Sequence, residues 1–288
     1  MSQKREPTIC FRVDPTNPGQ FFACCGLLEL ADRLWSGVEA WFDCGKFLIV
    51  AEEPVASLHK LLTTAHDIRL AEGLCAVEKD GTQVEDNSET DALPLVIESP
   101  IYLRLDWWKD KTLKTWAGSM DARKIFLAMC NAIDTQNEDP LNQGRVVFDS
   151  TVPTSTGPHN KRSAKPKKRE PFYFDSRRGA NAWPVDVGFS TDSLKLTTIA
   201  YPVVEGLSLV GLQRCRPKPT DASRVFEYFT WRIPLPIEVV PPAVLGLFGN
   251  GEGYRFENSF RTDQKKHKSY TPATLIGGNN REQYLKDV

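Results

Sequence analysis

The sequence ICFRVDPTNPGQFFACCGLLELADRLW fills residues 9–35 and indicates how the fold begins. Residues 9–13 form a short and mostly apolar segment, which is typical of a β-strand. Residues 14–20 are rich in proline, asparagine and glycine, the residue types of turns. In residues 21–35 the apolar side chains recur at steps of three and four, which predicts a helix with one apolar face. The chain is therefore expected to open with a strand, a turn and a helix.

Two further strands and a second helix are predicted next. Residues 41–42 and 46–51 indicate a hairpin around residues 43–45, where glycine supplies a positive φ. Residues 54–65 predict a helix that starts at a proline and has leucines on one side. A strand, a helix, a hairpin and a helix are the beginning of a split βαβ, ferredoxin-like unit.

The rest of the chain predicts more strands and helices with two long insertions. Strands are expected at residues 95–97, 101–107, 145–148, 225–233 and 254–262, and helices at 118–133, 201–212 and 242–248. Residues 72–93 are polar and acidic, and 151–169 hold almost nothing apolar, so both are expected to project as loop insertions. We therefore predict one α+β domain over residues 1–288. Its RRM-like, ferredoxin-like antiparallel sheet is packed by the helices at 21–35 and 118–133.

The composition is that of a globular protein. The chain has 288 residues, of which 41% are hydrophobic and 25% charged, and its formal net charge is −1. Its longest apolar runs are shorter than the roughly 20 residues that span a bilayer, and the N-terminus lacks the apolar stretch of a signal peptide. We therefore expect a cytoplasmic protein without membrane partners. Any affinity for nucleic acid has to come from local patches of charge.

The cysteines and histidines give little sign of a metal site or of catalysis. The seven cysteines are scattered without a C-x-x-C spacing, and the four histidines match no metal-ligand spacing. We therefore predict no cofactor, no metal and no catalytic residue. The alternative is a metal-independent ribonuclease, in which His159 or His267 acts as general base beside a lysine.

The strongest functional signal is the basic stretch HNKRSAKPKKR at residues 159–169, which leads into an aromatic stretch. Lysine and arginine clusters bind phosphate backbones, and interleaved aromatic rings stack on single-stranded bases. The residues expected to contact RNA here are Lys161, Arg162, Lys165, Lys167, Lys168, Arg169, Arg177 and Arg178, with Phe172, Tyr173 and Trp183 as stacking candidates. The alternative is a solvated charged loop followed by aromatic residues of the core.

A second basic region lies near the C-terminus. Residues 254–261 read YRFENSFR, and in a strand Arg255 and Arg261 would share one face with Glu257 and Ser259. Arg255 and Arg261 are RNA-binding candidates, as are the residues of the basic tail, Lys265, Lys266 and Lys268. An ordinary amphipathic edge strand is the alternative. The glycine loop at 249–253 lacks the following Gly-Lys-Ser/Thr of a phosphate-binding loop and predicts a tight turn.

Three tryptophans lie close together in the sequence. Trp107, Trp108 and Trp116 have lysines around them, so we expect them to be partly exposed as an anchor for a partner subunit. The alternative is a place in the core.

Several blocks of the chain resemble the CRISPR-associated subunits of type I-G systems, also called I-U. They are VDPTNPGQFFA at 13–23, LDWW at 105–108, WAG at 116–118, DVGFSTD at 186–192 and PVVEGL at 202–207. Such subunits are similar to the RAMP superfamily, whose core is an RRM-like ferredoxin fold. The loop at 249–253 is a loose counterpart of the RAMP glycine-rich loop, whereas the processing histidine of the RAMP endonucleases finds no match.

The resemblance implies a non-catalytic subunit of a crRNA-guided, Cascade-like surveillance complex in antiviral defence. Such a subunit binds crRNA, target DNA or both, together with other CRISPR-associated subunits, and a separate helicase-nuclease cleaves the DNA. A crRNA-processing endoribonuclease and a protein–protein scaffold subunit are the alternatives. The blocks leave open a role as backbone, crRNA-end cap or large-subunit substitute.

Overall fold

The computed structural model describes residues 6–71, 94–118, 120–148, 168–181, 199–261 and 267–277. Its strands and helices follow one another as β1 (Ile9–Arg12), α1 (Pro18–Leu34), β2 (Glu39–Asp43), β3 (Lys46–Val50), α2 (Leu58–His66), β4 (Arg69–Leu70), β5 (Leu95–Ser99), β6 (Leu103–Leu105), α3 (Ala122–Asn131), α4 (Ser176–Asn181), α5 (Pro202–Arg214), β7 (Lys218–Pro219), β8 (Val225–Phe229), α6 (Val240–Val244), β9 (Gly253–Phe260), β10 (Lys268–Tyr270) and β11 (Thr274–Leu275). Helices combined with small antiparallel sheets confirm the predicted α+β class. None of the described helices is long and apolar enough to cross a membrane. The predicted insertions lie outside the described residues, except for the end of the second at Lys168 and Arg169.

The first sheet is antiparallel and has the strand order β1-β3-β2. Cys44 and Gly45 join β2 to β3, and their φ angles of 48° and 72° are the positive pair that a two-residue hairpin favours. The predicted hairpin is therefore confirmed. On the outer edge of β2, the backbone of Ala40 pairs with that of Leu235.

Helix α1 begins at Pro18, earlier than the apolar periodicity predicted. Asn17 caps the helix by accepting a hydrogen bond from the backbone N–H of Gly19 at 3.1 Å, and the fixed φ of Pro18 suits a first helical turn. Every residue from Pro18 to Ala31 is buried. The helix is thus covered on all sides, where the sequence predicted one apolar face.

Helices α1 and α5 contact each other backbone to backbone through two glycines. A Cβ atom at Gly26 would lie 2.1 Å from the carbonyl oxygen of Leu207. A Cβ atom at Gly211 would lie 2.0 Å from the carbonyl oxygen of Phe22. Only residues without a side chain permit this distance between the helices.

Strands β4, β5 and β6 form a second antiparallel sheet in that order. The strand expected at 101–107 is confined to Leu103–Leu105, because the chain then enters a 3-10 helix at Trp107–Asp110. Helix α3 begins at Ala122, later than expected. Its cap is Asp121, whose carboxylate accepts a hydrogen bond from the backbone N–H of Lys124 at 3.2 Å.

The third sheet has the order β10-β9-β8-β7, and β11 also pairs with β9. In β9, Tyr254 and Phe256 are buried and Arg255 is exposed, so the predicted alternation of faces is confirmed. Strand β9 has neighbours on both sides and is not the edge strand considered as an alternative. The glycine loop before β9 packs against the chain's own backbone, since a Cβ atom at Gly251 would lie 1.6 Å from the carbonyl oxygen of Thr230.

The three tryptophans belong to the core, so the prediction that they are partly exposed is wrong. Trp107 and Trp108 are each 2% exposed and Trp116 is 4% exposed. Their rings pack edge to face at centroid distances of 5.8 to 6.0 Å. The indole N–H of Trp107 donates to the carbonyl oxygen of Leu209 at 2.8 Å, so its burial leaves no donor unpaired.

Candidate nucleic-acid interface

Two guanidinium groups lie close to the ring of Tyr173. The Cζ atom of Arg261 is 3.3 Å from the centroid of its ring, and that of Arg178 is 5.3 Å away. The hydroxyl group of Tyr173 donates a hydrogen bond to the carboxylate of Glu170. Burial raises the pKa of Tyr173 to about 12, so the hydroxyl remains protonated at neutral pH. We call Glu170, Tyr173, Arg178 and Arg261 the tyrosine cluster.

Two distant parts of the chain supply this cluster. Arg261 follows the last residue of β9, and its backbone N–H donates to the carbonyl oxygen of His267 at 2.8 Å, which closes the β9–β10 ladder. The backbone N–H of Tyr270 in β10 donates to the carbonyl oxygen of Tyr173 at 3.2 Å. This contact holds the segment before α4 against β10 and brings Arg178 to the same ring as Arg261.

The tyrosine cluster has more positive charge than its own carboxylate offsets. Arg178 is 6% exposed, and its Nε donates to no acceptor among the described residues. The Nε of Arg261 is likewise buried without an acceptor in the described part of the chain. Buried charged donors without acceptors cost free energy, and guanidinium groups bind phosphate well. Arg178 is also paired with Glu170 at 3.9 Å, so the partly exposed Arg261 is the arginine of the cluster that is more open to a phosphate-bearing ligand.

Two further cations lie near the ring of Phe260 at the end of β9. The Cζ atom of Arg224 is 4.8 Å from the ring centroid, and the Nζ atom of Lys268 is 6.0 Å from it. Burial, and then the charge of Lys268, lower the pKa of nearby Lys114 to about 8. Burial and the charge of Arg224 lower the pKa of Lys268 as well. We call Phe260, Arg224, Lys268 and Lys114 the phenylalanine cluster, and Phe260 adjoins Arg261 in the chain.

A buried acidic network fixes the segment that carries Tyr173 and Arg178. The Glu205 carboxylate on α5 accepts hydrogen bonds from the backbone N–H groups of Phe174 and Asp175, both at 3.2 Å. Asn17 donates to the Asp175 carboxylate at 3.0 Å and accepts from the backbone N–H of Ser176 at 3.1 Å. Burial, and then the charge of Asp175, raise the pKa of Glu205 to about 7.

Arg177 and Arg255, both predicted to bind RNA, lie apart from these clusters. Arg177 donates to both carboxylate oxygens of Asp175 and stacks on the ring of Tyr201 at 3.5 Å, so it stabilises the acidic network. Arg255 pairs with Glu227 at 2.6 Å. It precedes Arg261 by roughly 20 Å of strand, at about 3.3 Å per residue.

The other predicted residues divide into three groups. Phe172 is 0% exposed and packs on Trp116 at a centroid distance of 4.9 Å, so its ring belongs to the core in this conformation. Lys168 is exposed and pairs through its backbone with Phe148, and Arg169 directly precedes Glu170 of the tyrosine cluster. Outside the described residues lie Lys161, Arg162, Lys165, Lys167, Trp183, Lys265 and Lys266.

Four residues of the two clusters were missed by sequence reasoning, namely Glu170, Phe260, Lys114 and Arg224. Glu170 directly follows the basic stretch, and this first acid after a run of cations was an available signal. Lys114 lies between two tryptophans and Arg224 lies in a turn with a φ of 62°. Neither position has a local sequence pattern that distinguishes it from any other lysine or arginine of the chain.

The described residues offer no group of three histidines, cysteines or carboxylates that could hold a metal ion. His267 adjoins Lys268 of the phenylalanine cluster, whereas His159 lies outside the described residues. Comparison of this chain with protein-family models, curated proteins and solved structures finds no match. The geometry and charge of the two clusters are therefore the grounds for a functional proposal.

Proposed function

We propose that this protein is a non-catalytic subunit of a crRNA-guided CRISPR surveillance complex and binds RNA through the tyrosine and phenylalanine clusters. In this proposal the guanidinium groups of Arg178 and Arg261 bind phosphates of a single strand. Other CRISPR-associated subunits, target DNA and a recruited helicase-nuclease are its further partners. The blocks of sequence that resemble type I-G subunits support the choice of complex.

One observation carries the RNA-binding part of the proposal. Arg178 and Arg261 are arginines from separate parts of the chain that meet at one tyrosine ring with their Nε donors unused by described residues. A purely structural arginine would be expected to have its donors satisfied, as Arg177 has by Asp175 and by the carbonyl oxygen of Leu141. Because these Nε atoms are themselves buried, a phosphate would be bound through the Nη groups of the same guanidinium groups, for which phosphate oxygens are matching acceptors.

The RRM-like core is also part of the proposal. The sheet order β1-β3-β2, with α1 after β1 and α2 after β3, agrees with the first elements of a ferredoxin-like unit. Strand β4 pairs with β5 instead of extending that sheet. At the β2 edge, the backbones of Trp231 and Leu235 hydrogen-bond with those of Phe42 and Ala40.

Fluorescence anisotropy with labelled CRISPR repeat RNA, and with single-stranded DNA of the same sequence, tests this function. We expect saturable binding of RNA that is recovered intact. Arg261→Gln should weaken binding about tenfold, the effect of losing one charge-assisted hydrogen bond. Arg12→Gln, which changes an exposed arginine on β1, is the matched control and should leave binding unchanged.

The same assay separates the alternatives. RNA that is cleaved, with cleavage lost in His267→Ala, would support the endoribonuclease. Absence of binding to either nucleic acid would support the protein–protein scaffold. Equal affinities of Arg261→Gln and Arg12→Gln would contradict a role for the tyrosine cluster.

A further inference from the structure

A cavity of about 340 Å³ opens beside the phenylalanine cluster. One wall is the hairpin of β7 and β8, in which Pro219 pairs with Phe226. The turn at residues 110–112 and Lys268 of β10 also line the cavity. The cavity thus combines apolar side chains such as Pro219 and Phe226 with cations such as Arg224 and Lys268.

Positive charge predominates in this lining. Lys111, Arg224 and Lys268 are its cations, and Asp110 is the carboxylate among its lining residues. Two of these charges have partners outside the lining: Asp110 lies 3.6 Å from Arg216, and Arg224 lies 3.5 Å from Glu257. The Nζ of Lys268 donates to the carbonyl oxygen of Lys111 at 3.3 Å, so its ammonium group is held at the cavity wall.

The cations also repel one another. The pKa of Lys268 is lowered by its burial and by the charge of Arg224, and that of Lys114 is lowered to about 8 by burial and by Lys268. Like charges held close together in a partly buried place disfavour each other's charged form. An anion in the cavity would relieve this repulsion.

We propose that this cavity binds a nucleoside monophosphate, with the phosphate at Arg224 and Lys268 and the nucleoside against Pro219 and Phe226. A volume of about 340 Å³ lies within the range of small-ligand sites, roughly 300 to 1,000 Å³, and exceeds what a lone phosphate needs. The ligand is either a free nucleotide or the terminal nucleotide of a strand. The inference shares Arg224 and Lys268 with the proposed function, whereas Arg178 and Arg261 of the tyrosine cluster take no part in the lining.

Isothermal titration calorimetry of the full chain with AMP, adenosine and inorganic phosphate tests the site. AMP should bind more tightly than either of its parts. Lys268→Met and Arg224→Gln should each weaken AMP binding about tenfold, as expected for one charge-assisted hydrogen bond. Lys268→Arg keeps the charge and should retain binding, and Lys60→Met, at an exposed lysine on α2, should behave as wild type.

Competition between AMP and oligonucleotides identifies the source of the ligand. An oligonucleotide with a 5′- or 3′-terminal phosphate that displaces AMP, while the same strand with hydroxyl ends does not, indicates a strand end. AMP that no oligonucleotide displaces indicates a free nucleotide. Arg261→Gln should leave AMP binding intact even where it weakens RNA binding, which keeps this test separate from that of the proposed function. The inference is overturned if AMP does not bind, or if Lys268→Met and Arg224→Gln bind AMP as wild type does.

Discussion

Glu205 is a glutamate with no exposed surface whose carboxylate accepts two backbone hydrogen bonds. Burial and the neighbouring Asp175 oppose its negative charge, whereas the two N–H groups and Arg178 favour it. The opposing effects outweigh the favourable ones, so the pKa rises from 4.5 to about 7. The segment that carries Tyr173 is thus held by an acid that is partly protonated at neutral pH.

This pKa predicts how stability depends on pH. Because the folded pKa lies above the unfolded one, the contribution of Glu205 is fully present below pH 4.5 and is lost as the pH rises through about 7. The loss is on the order of 3 kcal/mol. Glu205→Gln keeps a hydrogen-bond acceptor and removes the titratable group. Between roughly pH 5 and pH 8, a range that spans this titration, the free energy of unfolding of the variant should therefore fall less than that of the wild type.

Urea unfolding of both proteins at several pH values measures the difference. Glu98→Gln, at an exposed glutamate of β5, is the matched control and should show the wild-type dependence. Identical pH dependence in Glu205→Gln and wild type would mean that Glu205 does not titrate in this range.

Adjacent residues in a sequence can have unrelated roles, as Arg177 and Arg178 show. Both follow the basic stretch and both were predicted to bind RNA. Successive residues of a helix point about 100° apart, so in α4 one guanidinium group reaches Asp175 and the other reaches Tyr173. The sequence pattern identified the pair, but only the packing of α4 distinguishes them.

At the scale of elements, the crossing of α1 and α5 depends on glycine. Both glycines were unremarkable in the sequence, where a helical glycine usually lowers stability. Their value comes from a contact between elements far apart in the chain, which local periodicity does not reveal. Because the two helices contact each other so closely, each covers part of the other's surface.

Replacing two glycines of α5, Gly211 and Gly206, with alanine should change the stability of the fold in different ways. Gly211→Ala would place a Cβ atom 2.0 Å from the carbonyl oxygen of Phe22, so the helices must separate, at a cost of about 2 to 3 kcal/mol. Gly206→Ala is the control, because its nearest contact, the Sγ of Cys130, is 3.6 Å away. It should be neutral or stabilise the helix by up to about 1 kcal/mol.

Thermal melts of the two variants test this prediction. Gly211→Ala should melt well below wild type and Gly206→Ala at or above it. Similar melting temperatures for the two would contradict the close backbone contact.

The elements of the opening region could be predicted because their signals are local. Turn residues and apolar periodicity located β1, α1 and the β2–β3 hairpin to within a few residues. The division of the strands among three sheets was not predicted, because pairing such as that of β4 with β5 joins residues separated by a long insertion. The observed start of α3 also differs from the predicted one, because the hydrogen bond from the Lys124 N–H to the Asp121 side chain fixes where the helix begins.

At the scale of the whole molecule, a net charge of −1 coexists with a locally basic surface. Glu170 and Glu257 offset part of the positive charge at the clusters, and acidic residues elsewhere account for the remaining balance. Sequence reasoning found Arg178, Arg261 and Lys268 through their basic and aromatic neighbours. It could not bring them together, because their meeting depends on the hydrogen bond between Tyr270 and Tyr173 and on the β9–β10 pairing.

The salt dependence of RNA binding tests the central claim most directly. The double variant Arg261→Gln/Lys268→Met removes one cation from each cluster at partly exposed positions. If both contact phosphates, the log–log slope of affinity against salt should flatten by roughly 1.4, at roughly 0.7 per contact for a single strand. The variant should remain folded, which a thermal melt checks. An unchanged affinity and slope in a variant that remains folded would contradict RNA binding at these clusters.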